Sequence, residues 1–148
     1  MALPSRRSVV SLLCASALLV GCTISETQVP EADFFSARTK ARIYALDGKT
    51  FEVVPPIGAE APSYWCAASE FARRELGADW SQMLYVKTGR APSVVTGRIE
   101  AITFTLNEVP RDTPQPLIRR SFTYKPGDSA SVSVADASCR DLEPFYYF

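Results

Sequence analysis

The chain has 148 residues, and its 16 basic and 16 acidic side chains cancel to a formal net charge of zero, which offers no broad basic face for nucleic acid. It contains no histidine, so Ser-His and Cys-His couples and imidazole metal ligands are excluded, and its acids show no calcium-loop spacing. The four cysteines are the most informative residues that remain.

In chain order, the first segment joins Arg6 and Arg7 to an apolar run from Val9 to Val20 that only Ser11 and Ser16 interrupt. That run is too short to span a bilayer stably. It closes on Leu19-Val20-Gly21-Cys22, which resembles the lipobox of bacterial lipoprotein signals: Leu, a small or branched residue, Gly or Ala, then Cys. The resemblance implies cleavage of residues 1–21, transfer of diacylglycerol to the Cys22 sulfur and acylation of the new amine. It therefore implies attachment to a membrane through lipid on Cys22. Thr23 follows where Asp would retain a lipoprotein at the inner membrane, so the same resemblance implies an outer-membrane anchor facing the periplasm.

The mature chain would keep 127 residues, enough for one domain. Loss of Arg6 and Arg7 leaves 14 basic against 16 acidic residues, a net charge of −2. Cys14 departs with the signal and Cys22 is consumed by lipid. In the oxidising compartment that the lipobox implies, Cys66 and Cys139 are then the pair expected to form a disulfide. It would close 73 sequence steps, worth roughly 4 kcal/mol in chain entropy.

Residues 22–33 read as a lipidated tether, polar and without period, and residues 34–148 as a single domain. Residues 41–46 and 49–54 flank Asp47-Gly48 as a hairpin, because Asp-Gly accepts the positive φ of a tight turn. Pro55-Pro56 ends its second strand. Residues 63–76 predict a helix that starts near Pro62 and Ser63 and stops at Gly77, with Trp65, Ala68, Ala72 and Leu76 along one stripe. Further strands are expected over residues 83–87, 98–106, 118–124 and 129–134. The second has a bulge near Glu100 implied by its mixed parity, and the last shows Ala130, Val132 and Val134 on one face. Residues 109–116 read as a loop and Pro126-Gly127-Asp128 as a turn. The expected fold is α+β: an antiparallel sheet of five or six strands with one helix packed on one face.

The stretch from Ser63 to Ala72, with Gly89 to Ser93 and Thr96 to Arg98, resembles small alphaproteobacterial envelope proteins, and that resemblance implies no activity. The aromatic terminus Phe145-Tyr146-Tyr147-Phe148 is read as a tail packed on the domain rather than a barrel-assembly signal, since a barrel needs many amphipathic strands.

No catalytic residue, cofactor or metal is expected. The leading function is a non-enzymatic binding or envelope-assembly module with an envelope protein or peptidoglycan as its partner. A thiol-disulfide redox protein is the alternative: Cys66 in a first helical turn would feel the positive end of the helix dipole, with Cys139 as resolving partner. Lys87, Arg90 and Arg98 form the candidate anion or partner site, because Gly89 and Gly97 would let backbone amides turn outward while the arginines fork onto a carboxylate or phosphate.

Overall fold

The computed structural model describes residues 28–111 and 124–142. The signal segment with Cys22, the strand expected over residues 118–124 apart from Tyr124, most of the loop at 109–116, and the terminal aromatics lie outside the described residues.

Among the described residues, six strands form one antiparallel sheet: β1 Phe34–Phe35, β2 Arg42–Ala45, β3 Thr50–Val54, β4 Met83–Ala91, β5 Ala101–Thr105 and β6 Ser129–Ser131. Their spatial order is β1-β2-β3-β5-β4-β6. One long helix, α1 (Ala61–Arg74), crosses a single face, and a short helix, α2 (Val132–Ala137), packs beside it. The protein is α+β, as the periodicity led us to expect.

Helix α1 begins two residues before Ser63 because Pro62 is tolerated in a first turn, where its missing N–H has no partner to lose. It stops where Gly77 takes a φ of 64° and Ala78 N donates back to Ala72 O at 2.9 Å. Trp65, Ala68, Phe71 and Ala72 are all buried and meet Ile43, Phe51, Val53, Ile102 and Phe104 from the sheet. The Trp65 ring stands edge-on to Phe104 at 5.0 Å, and Phe71 lies 4.6 Å from Phe51. Burying each such large apolar side chain contributes about 1.5–3 kcal/mol, which makes this layer the main source of stability.

Cys66 and Cys139 are joined, with Cα atoms 4.8 Å apart. The bridge ties the middle of α1 to the segment just after α2, and both cysteines are buried, at 0% and 1% exposure.

Three local expectations change. The 46–49 turn does not use positive φ at Gly48; instead Asp47 Oδ1 accepts from Lys49 N and Thr50 N at 2.8 Å each, a side-chain closure that leaves the glycine in ordinary backbone. Those bonds, led by the one from Lys49, hold the Asp47 carboxyl below its usual value.

The strand at 129–134 ends at Ser131. The Ser131 hydroxyl accepts from Val134 N and caps α2, so Val134 turns outward while Val132 and Ala135 are buried. Residues 98–100 belong to a loop, and the irregularities in register fall on β4, between Val86 and Thr88 and between Thr88 and Ala91, rather than at Glu100. Every residue of β5 is buried on both faces, so alternation could not fix its parity.

Candidate functional site

The sheet has a second face, turned away from α1, and the alternation of the strands dictates what it carries. Phe35 pairs with Arg42, and Arg42 with Val54, so these three side chains form a row across β1, β2 and β3. Further along, Tyr44, Val54 and Ala101 make a small separate core with Ala32 and Val95 packed on it. The tether's end therefore belongs to the domain: Ala32 lies on this face and Asp33 Oδ2 accepts from Ala45 N at 2.8 Å.

Glu52 projects from the middle of the same face and is 1% exposed. It does not stand as a bare buried charge, which would be costly. Its carboxylate accepts from Ser93 Oγ at 2.5 Å and from Val94 N at 2.9 Å. Ser93 Oγ in turn accepts from Thr96 N, and Ser93 N donates to Arg98 O at 2.7 Å. One buried carboxylate thus clamps the whole 93–98 turn onto the sheet.

That clamp divides the sequence candidates. Arg90 is consumed locally: it pairs with Glu100 at 2.5 Å, reaches Tyr124 Oη at 3.3 Å and lies over the Tyr124 ring at 4.9 Å. Burial pushes the Tyr124 hydroxyl up, with Arg90 opposing. Gly89 serves this packing and not an outward amide, since a Cβ there would meet Tyr124 O at 2.5 Å. Lys87 is exposed on β4, where its charge reaches Asp47. The three candidates do not converge.

Arg98 instead joins two residues that sequence reasoning missed. With Lys40 and Arg42 it lines a groove of about 310 Å³ whose apolar wall is Phe35, Val54, Pro55, Pro56 and Ile57. None of these three cations has an ion pair among the described residues, where the pairs are Arg38 with Glu70, Arg90 with Glu100 and Arg111 with Asp128. Phe35 and Ile57 are 53% and 78% exposed. Lys40 has a φ of 59°, a left-handed conformation that costs an ordinary residue roughly 1 kcal/mol or more. Glycine or asparagine would sit there more comfortably, and lysine puts a cation on the groove instead. The available signals were Arg42 at an outward position of β2 and an apolar residue, Ile57, placed immediately after two prolines.

A second cleft, on the helical side, offers a contrast. Arg38, Glu70, Arg73, Arg74, Trp80 and Asp136 line it, but Glu70 accepts from Ser36 Oγ at 2.6 Å and pairs with Arg38 at 3.5 Å, while Arg73 stacks over Trp80 at 4.3 Å. Its charges are largely matched from within. Among the described residues no group of three or more Cys, Asp or Glu is placed to hold a metal, and no helix is long and apolar enough to cross a membrane.

Cys66 lies in the second turn of α1, beyond the first-turn amides that would lower a thiol pKa most strongly. Comparison of the chain with protein-family models, with curated proteins and with solved structures finds no match.

Proposed function

We propose that this chain is a lipoprotein, anchored through Cys22 to the outer membrane and facing the periplasm, that works as a non-enzymatic binding or envelope-assembly module. Its binding element is the groove of Lys40, Arg42 and Arg98. The observation that carries this reading is the gathering of three cations, without acid partners among the described residues, beside exposed apolar side chains. Like charges brought together repel, and a bound anion relieves that repulsion. Arginine forks suit a carboxylate or phosphate, and the rigid Pro55-Pro56 wall keeps the groove formed before binding.

The thiol-disulfide alternative draws less support. A sulfur that exchanges with a partner must be reachable, and both cysteines are buried.

Lys40→Gly separates a structural role from a binding role at that position. Relief of the left-handed strain is offset in part by glycine's larger unfolded-state entropy, so stability should hold or rise by up to about 1 kcal/mol. Anion capture should fall roughly fivefold, the loss of one cation worth about 1 kcal/mol. Thermal melts with a binding titration check both; a destabilised variant with undiminished capture would assign Lys40 to the fold alone.

The proposal as a whole is tested by site-specific photo-crosslinking in living cells. A crosslinker at Ile57, on the groove, should capture an envelope component that one at Val134, on the helical side, does not. Equal capture at both positions would remove the groove from the account. Cys22→Ser should abolish lipid labelling, and a labelled variant would contradict the anchor.

A further inference from the structure

We infer that the groove's ligand is the phosphate of anionic phospholipid headgroups in the bilayer that carries the anchor, so that the sheet face turned away from α1 lies against the leaflet. This deepens the proposed function and rests on its reading of the groove as the binding site.

The first argument is where the chain enters the domain. Ala32 packs on the face turned away from α1, and the ten residues from Thr23 to Ala32 reach at most about 35 Å. A lipid on Cys22 therefore holds that face within a short radius of the headgroups. Such tethering supplies an effective concentration of order millimolar, at which weak docking is enough.

The second argument is the chemistry of the face. Interfacial lipid contact calls for apolar side chains that can enter the headgroup boundary, set among cations that attract its phosphates. Ile57 and Phe35 protrude from the groove wall, and Val94 and Ile99, at 77% and 78% exposure, belong with Arg98 to the connection between β4 and β5. Glu52, by fixing Ser93 and Val94, holds the 93–98 turn in place without presenting its own charge.

Charge gives the third argument. A mature chain of net −2 is repelled as a whole by an anionic surface, so docking requires a local cluster of cations. Lys40, Arg42 and Arg98 supply one, brought together on a single groove.

The test uses the full lipid-anchored chain, purified from bacterial membranes in detergent and reconstituted into vesicles. Ile57→Trp, Ile99→Trp and Val134→Trp variants are compared with the parent chain for fluorescence quenching by brominated acyl chains. In vesicles of phosphatidylethanolamine with phosphatidylglycerol, tryptophan at 57 and 99 should be quenched several-fold more than at 134.

The difference should vanish in neutral phosphatidylcholine. Combined Lys40→Gln, Arg42→Gln and Arg98→Gln should lower the docked-to-undocked ratio on the order of 100-fold, at about fivefold per cation. Equal quenching at 57 and 134, or quenching indifferent to lipid charge and to the triple substitution, would overturn lipid docking. Cellular capture of a protein or of peptidoglycan from Ile57, without this quenching, overturns the lipid assignment and keeps the groove as a binding site. Absence of both capture and quenching overturns the groove itself.

Discussion

Replacing Cys66 and Cys139 together by alanine should destabilise the protein by about 4 kcal/mol and lower Tm by on the order of 15 °C. The reason lies mostly in the unfolded chain, where the bridge closes 73 residues of sequence and removes conformations that would otherwise favour unfolding. In the folded protein the bond fixes α1 to the segment after α2, and both sulfurs sit inside that packing. Calorimetry of the double variant measures the effect. Titration of the native protein with dithiothreitol adds a second readout, because a buried structural bond should resist reduction until the fold opens. A double variant as stable as the parent, or a bond reduced freely in the folded state, would revive the redox alternative.

Glu52→Ala should cost about 3 kcal/mol and release the 93–98 turn. It strands two donors, Ser93 Oγ and Val94 N, that now end on the carboxylate. A hydrogen bond to a charged group is worth about 1.5–3 kcal/mol, and recovery of the carboxylate's desolvation cost offsets part of the loss of two. With the turn freed, Val95 would no longer hold its place against Tyr44, Val54 and Ala101, and backbone exchange across residues 93–98 should quicken. Glu52→Gln keeps an acceptor for Val94 N and should recover part of the stability. Urea midpoints and hydrogen exchange check this, and an alanine variant with unchanged midpoint and protection would show that the turn is held by packing alone.

How far the sequence disclosed this molecule depends on the kind of signal each residue carries. Trp65, Ala68 and Ala72 announced α1 because a helix buries one stripe, and Pro62 and Gly77 bracket it to within a turn. The 42–54 hairpin was legible for a similar reason, although Asp47 closes it by its side chain rather than by the backbone of Gly48. The residues from Ser129 to Val134 misled because Val-Ser-Val alternation suits a strand and a capped helix equally, and only contact with α1 decides between them.

The site was less legible, because its residues come together across strands and not along the chain. Arg90 and Arg98 look equivalent in sequence, yet Glu100 and Tyr124 take one and leave the other. Lys40 and Arg42 join Arg98 only once β1, β2 and β3 are paired in register. Glu52 lies buried on the face turned away from α1 because the 93–98 turn, distant in sequence, covers it. In each case the missing information is a tertiary pairing, which a local pattern cannot encode.

The central claim is that Lys40, Arg42 and Arg98, on the sheet face turned away from α1, bind an envelope anion. Its most direct measurement is photo-crosslinking from Ile57 in living cells, comparing the parent chain with one carrying Lys40→Gln, Arg42→Gln and Arg98→Gln. Surface substitutions of this kind should leave Tm within a few degrees. The account predicts that the folded triple variant loses the Ile57 adduct that the parent forms. An adduct of equal yield from both chains would contradict it.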